Sequence, residues 1–313
     1  MKCALLFPGQ GAQYVGMGRE VYEKLSESRV LFDKASELLD WDIKEVCFED
    51  KEGKLNQTRY TQAALFTTNC AIYEALKTKG IQIDAMLGFS LGEYSALMAS
   101  GIVDFEEGLK LVEKRACYME ECSQRHPGGM VAVIGLSIDQ IEEVCTKVNS
   151  QCQLVQVAND NCEGQVTLSG TKEALNLATE ELKLKGAKRI VPLQVSGAFH
   201  SALMEEAATK LQGELGTITF KEAEYPVVSN VTATFMNSRE ARENIPLQIV
   251  KGVRFRESIL YLIKEGYDTF IEVGPKKTLT NLVKKINRDV TVLQVEDEKS
   301  LQEAIKALGG GTC

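Results

Sequence analysis

The stretch Leu87-Gly88-Phe89-Ser90-Leu91-Gly92-Glu93 decides the reading of this chain. It has the pattern Gly-x-Ser-x-Gly. A short apolar run, Ala85-Met86-Leu87, leads into it, and a helix-like segment, Tyr94-Ser95-Ala96-Leu97-Met98-Ala99, leads away. A strand before and a helix after make the pattern a nucleophile elbow, with the serine on a sharp turn at the carboxyl edge of a sheet. The flanking glycines leave room for the tight backbone. The N–H of Leu91 then points to where an oxyanion would form, at the positive end of a helix. The five residues alone are a weak signal, and an ordinary strand–turn–helix with a capping serine also fits them. The flanking context favours a catalytic serine.

Around the elbow lies a chain of 313 residues, 44% apolar and 26% charged, the composition of a globular protein with ample core. Its length suits about two domains, or one domain with an insertion. A net charge of −8 argues against a dedicated nucleic-acid binder. Nine cysteines are scattered without a Cys-x-x-Cys pair, and no spacing suggests a zinc site. The apolar stretch from Cys3 to Phe7 is too short for a signal peptide, and no run nears the ~20 residues of a membrane span. The expectation is a cytoplasmic protein with mostly buried free thiols.

Upstream of the elbow, residues 2–7 read as a buried strand that runs into Pro8-Gly9-Gln10-Gly11-Ala12-Gln13. Such a loop either presents backbone N–H groups to an anion or is a plain turn. Helical spacing covers residues 20–39 and 61–79, residues 56–60 read as a loop, and Asp104 opens a helix to about residue 124 that carries Arg115. Past His126-Pro127-Gly128-Gly129 the pattern becomes strand, helix, strand, strand, helix, strand, with the second strand expected at 152–158. That is the ferredoxin-like order. It occupies residues 128–195 as a small domain inserted into a larger one made of 1–127 and 196–308. In the larger part strands alternate with helices, which predicts a parallel sheet covered on both faces. Residues 309–313 read as a loose tail.

A serine hydroxyl needs a base, and the chain has two histidines. His126 sits in an exposed junction. His200 follows Val195-Ser196-Gly197-Ala198-Phe199, where the chain returns to the larger domain and can overhang the sheet edge that carries Ser90. His200 is therefore the candidate base, with a capping or core histidine as the bland alternative. No acid for a triad can be nominated beyond Asp160, which lies in the insertion, so a dyad oriented by a backbone carbonyl is the more natural arrangement. Arg115 is either a surface charge or a clamp for a carboxylate.

Phe7 through Gln13, Gly88 through Glu93, Arg115, Gly197-Ala198-Phe199-His200-Ser201 and Glu272-Val273-Gly274-Pro275 occur together in order and spacing. As a set they resemble the malonyl-CoA:acyl-carrier-protein transacylases, a family that includes the acyltransferase domains of polyketide synthases. The resemblance spans nearly the whole chain. It implies an α/β-hydrolase-like core with a ferredoxin-like insertion. It implies Ser90 as acylated nucleophile, His200 as base, and the N–H groups of Gln10 and Leu91 as oxyanion hole. Arg115 would hold the malonyl carboxylate, the carbonyl of Arg254 would orient His200, and Asn161 and Phe199 would line the substrate site. Malonyl-CoA and the phosphopantetheine thiol of an acyl carrier protein are the implied substrates, with no resident metal or cofactor. The implied pathway is fatty-acid or polyketide synthesis. Phe89 departs from the histidine usual in the family. A serine hydrolase or thioesterase, or a non-catalytic carrier-binding domain, are the other classes. For the acidic carrier, two sets of cations are candidate contacts: Lys183, Lys185, Lys188 and Arg189, and Lys276, Lys277, Lys284 and Lys285.

Overall fold

A computed structural model describes residues 1–151 and 153–308. The chain begins with β1 (Cys3–Phe7), α1 (Arg19–Lys24), α2 (Ser26–Leu38), α3 (Ile43–Phe48), α4 (Thr58–Lys77), β2 (Ala85–Gly88), α5 (Gly92–Ala99) and α6 (Phe105–Arg125). A second unit follows, with β3 (Gly129–Ile134), α7 (Ile138–Asn149), β4 (Val155–Cys162), β5 (Gln165–Gly170), α8 (Lys172–Leu184) and β6 (Arg189–Pro192). A 3₁₀ turn (Ala202–Met204) leads into α9 (Glu205–Glu214), β7 (Val227–Val228), β8 (Phe235–Met236), α10 (Ser238–Val250), α11 (Phe255–Lys264), β9 (Thr269–Val273), α12 (Thr278–Ile286), β10 (Thr291–Val295) and α13 (Glu298–Ala307).

The large sheet has the order β10-β9-β1-β2-β7-β8. Its first five strands are parallel, and β8 adds an antiparallel edge. All five residues of β1 are buried, as a parallel strand covered on both faces requires. The strand's period of two sorts them. Cys3, Leu5 and Phe7 join one apolar cluster, while Ala4 and Leu6 join another with Phe255, Ile259 and Leu279 from α11 and α12. Because the strands are parallel, their carboxyl ends share one edge. The 8–13 loop, the elbow and Gly274-Pro275 therefore meet there.

The small sheet is antiparallel, in the order β4-β5-β3-β6. Val131, Val133, Val166 and Leu168 pack on α7 and α8. Their alternates, Met130, Ala132, Gln165 and Thr167, line a cavity against the large sheet's carboxyl edge. In β4 the register shifts between Val157 and Asn159. That bulge turns Asn159 and Asn161 from the helix-covered face towards the cavity. The same strand bridges Asn159 to Val253, which ties the second unit to the segment after α10.

Several local expectations shift. Residues 20–39 form two helices, because Leu25 is extended between them. Thr58 to Tyr60, read as loop, already belong to α4. The second strand of the small sheet begins at Val155, and Cys152 and residues 309–313 lie outside the described residues.

Candidate active site

Ser90 sits between β2 and α5 with φ 51°, the left-handed conformation of an elbow. A non-glycine residue held there stores on the order of 1–3 kcal/mol. Two side chains hold its backbone. Asn230 Oδ1 accepts the Ser90 N–H at 2.8 Å, and Gln248 Nε2 donates to the Ser90 carbonyl at 2.9 Å. The turn closes only with glycine on both sides. A Cβ on Gly88 would strike the Gly92 carbonyl, and one on Gly92 would strike the Phe7 carbonyl.

His200, also left-handed at φ 57°, places Nε2 2.8 Å from Ser90 Oγ. Its Nδ1 faces the carbonyls of Gln248 at 2.7 Å and Lys251 at 3.2 Å. Both are acceptors, so Nδ1 carries the proton and Nε2 is left to accept from the serine. Burial, and then the charge of Arg115, push the His200 pKa down to about 4 against the pull of those carbonyls. The orienting group is thus a backbone carbonyl, but not that of Arg254. The Arg254 carbonyl is taken by the N–H and hydroxyl of Ser258 in the first turn of α11. Its side chain is paired with Glu257, away from the cavity. Gln248 lies where α10 ends, and the last carbonyls of a helix lack intrahelical partners. Asp160 does not face His200. It is buried in β4, and burial pushes its pKa up to about 6.

Arg115 projects from α6 and is only 1% exposed. Its Nη1 donates to Gln62 Oε1 at 2.6 Å, and its Nη2 to Gln248 Oε1 at 3.1 Å and to Ser90 Oγ at 3.2 Å. The guanidinium lies 5.3 Å from the ring centroid of Tyr94. It is thus a buried cation beside Ser90 Oγ, not a surface charge.

These groups meet at a cavity of about 290 Å³. The N–H groups of Gln10 and Leu91 have no acceptor among the described residues, and both residues line it. Gly9 packs on the Phe89 carbonyl with no space for a side chain, which brings the 8–13 loop against the elbow. Phe199, 5% exposed, and Asn161 also face the cavity. Asn161 Nδ2 donates to Thr167 Oγ1 at 3.4 Å, and its buried Oδ1 has no partner among the described residues. Phe89 packs edge-on against Phe255 at 5.4 Å. His126 lies elsewhere, exposed and 3.7 Å from Glu206, with Cys122 beside them. Both oxygens of that Glu206 are engaged, one by Arg125 and Lys210 and the other by His126.

Four polar residues of the site had no role from the sequence: Gln62, Glu93, Asn230 and Gln248. Gln62 and Gln248 are glutamines on helices, which spacing alone reads as solvent-facing. Both are 1% exposed.

The family model described as acyl transferase domain matches residues 4–309. A malonyl CoA-acyl carrier protein transacylase of Bacillus subtilis (strain 168) is 44% identical over 308 residues, covering 98% of this chain and 97% of that protein. One from Staphylococcus aureus (strain MRSA252) is 40% identical over 306 residues, covering 96% and 99%. The crystal structure of the transacylase of that name from Clostridium perfringens superposes with a TM-score of 0.95 at 44% identity, covering 99% of this chain and 98% of that one. A malonyl-transacylase solved in complex with its type II acyl-carrier protein superposes at 0.94 with 36% identity, covering 98% and 100%. By its sequence over nearly its whole length, the chain belongs to the acyl transferase domain family.

Proposed function

We infer that this chain moves a malonyl group from malonyl-CoA to the phosphopantetheine thiol of an acyl carrier protein through an ester on Ser90. One observation carries the reading: Ser90 Oγ lies within hydrogen-bond reach of both a neutral imidazole and a buried guanidinium. The first makes a nucleophile. The second suits an acyl chain that ends in a carboxylate, because an unpaired buried cation is costly.

In the first half-reaction the malonyl carboxylate takes Arg115 Nη donors. Ser90 Oγ attacks the thioester carbonyl as Nε2 of His200 takes its proton. The tetrahedral oxyanion accepts from the N–H groups of Gln10 and Leu91. The C–S bond breaks, and the imidazolium returns the proton to the departing coenzyme A sulfur. In the second half-reaction the carrier's thiol gives its proton to His200 and attacks the ester carbonyl. Ser90 Oγ leaves and takes that proton back. Substrate and chain supply every group, so the scheme uses no resident metal or cofactor. Asn161, through its free Oδ1, and Phe199, through its ring, would shape the acyl pocket.

On this reading the large sheet is an α/β-hydrolase-like core formed by residues 1–127 and 196–308, and residues 128–195 are a ferredoxin-like insertion that roofs the site. No helix among the described residues is long and apolar enough to cross a membrane, and the seven described cysteines are free. Both features suit a cytoplasmic enzyme of fatty-acid or polyketide synthesis. Hydrolysis by water would leave Arg115 without a purpose.

Arg115→Ala tests the reading. Each charge-assisted hydrogen bond contributes roughly 1.5–3 kcal/mol, so kcat/KM for malonyl-CoA should fall ~10²-fold or more. Acetyl-CoA, which leaves the guanidinium unpaired, should be used better relative to malonyl-CoA. An unchanged malonyl-to-acetyl ratio contradicts the assignment.

A further inference from the structure

Glu93 is 4% exposed, in the first turn of α5, and touches neither the cavity nor Ser90 Oγ. Its Oε1 accepts the Asn230 N–H at 2.9 Å, and its Oε2 accepts from Gln248 Nε2. Each partner performs a second task at the site. Asn230 accepts the Ser90 N–H and donates Nδ2 to the Gly88 carbonyl at 2.6 Å. Gln248 donates to the Ser90 carbonyl and accepts from Arg115. One carboxylate thus joins the strained elbow, α10 and the guanidinium.

The polarity of this network follows from donor and acceptor counting. Gln248 Nε2 points at two acceptors, Ser90 O and Glu93 Oε2, which leaves Oε1 for the cation. The reversed amide would set oxygen against two oxygens and N–H against a guanidinium. Both Glu93 oxygens face N–H donors, so the ionised form fits and a protonated one does not. Burial pushes the Glu93 pKa up to about 7, while those donors and the Arg115 charge oppose the rise.

We propose that Glu93 is a positioning residue: as a carboxylate it fixes the orientation of the Gln248 amide, and through it the aim of Arg115 and the backbone of Ser90. The proposal rests on the malonyl-transfer reading. It explains why a second charged group, beside Arg115, is buried next to the site without contacting the acyl chain.

Glu93→Gln keeps the shape and removes the acceptor-only character. The new amide must turn an N–H towards either Asn230 N or Gln248 Nε2, and the second choice reverses Gln248 against Arg115. The expected result is a folded protein whose kcat/KM for malonyl-CoA falls about tenfold or more while acetyl-CoA loses less, so that malonyl preference drops. Gln248→Met removes the amide itself and should lower the preference similarly. Combined with it, Glu93→Gln should then have little further effect on the ratio. A folded Glu93→Gln that keeps the wild-type ratio, or strictly additive losses in the double variant, overturns the proposal. If Glu93→Gln does not fold, Gln248→Met decides alone, by losing the preference or keeping it. Failure of the underlying reading would show separately, as a wild type that forms no malonyl adduct on Ser90.

Discussion

His200 is enclosed by two carbonyl oxygens, a serine and, beyond it, a guanidinium, and its chemistry follows from those neighbours. A base must be neutral to act. Its pKa is lowered from 6.5 to about 4, so in the proposed role of base His200 stays competent well below the pH at which a free imidazole is protonated. The unfolded chain binds this proton below about pH 6.5 and the folded one only near 4, so the residue makes the fold less stable as pH falls through that window. His200→Ala should lower the acylation rate at least ~10²-fold. In the pH profile of kcat/KM, a limb near 4 belongs to His200, and a fall closer to neutrality belongs to Glu93 and disappears in Glu93→Gln. A limb near 6.5 that persists in Glu93→Gln contradicts this. At this scale the sequence was informative where residue types were scarce. Two histidines, only one at a plausible sheet edge, singled out His200. It was uninformative where the group is a backbone atom. The carbonyl that orients His200 comes from Gln248, six residues before Arg254, because α11 begins at Phe255 and consumes the Arg254 carbonyl.

Among the elements, the turn between β2 and α5 is the one that sequence spelled out, because a tight approach of three backbone segments admits only glycine at two positions. Gly92→Ala would drive a Cβ into the Phe7 carbonyl, which a strand cannot yield easily, at roughly 1–3 kcal/mol or more. Gly213, inside α9, has open space where a Cβ would stand, with no neighbouring atom within 4 Å, and alanine there should stabilise by about 0.5–1 kcal/mol. Thermal unfolding of the two variants should therefore shift Tm in opposite directions, and equal shifts would contradict the packing argument. Shorter elements carried weaker signals. The six residues of α3, capped by Asp42, span too few turns for a periodic pattern, and β8 has two residues. The break at Leu25 is backbone geometry, which apolar spacing across residues 20–39 does not report.

Over the whole molecule, two sheets of opposite character share one cavity. The parallel sheet supplies the elbow and the 8–13 loop at its carboxyl edge, and the antiparallel sheet supplies a wall through its uncovered face. Most of the succession of strands and helices followed from apolar patterns, though α3, β8 and the split between α1 and α2 did not; nor did the bulge in β4 that turns Asn159 and Asn161 inward, since it depends on pairing register. The expected basic faces are also altered by pairing. Lys183 and Lys185 are spent on Glu180 and Glu143, whereas Lys276 lies beside the cavity on the Gly11 carbonyl. The claim that unites these parts is that the shared cavity loads a malonyl group onto Ser90 and hands it to a carrier thiol. Losing such a nucleophile typically costs on the order of 10⁴–10⁶ in rate. The most direct measurement is mass spectrometry of the intact protein and its peptides after mixing with malonyl-CoA, before and after addition of holo acyl carrier protein. The account predicts a single malonyl ester on Ser90 that the carrier discharges and that Ser90→Ala never forms; a malonyl ester on the Ser90→Ala protein, or none on the wild type, would contradict it.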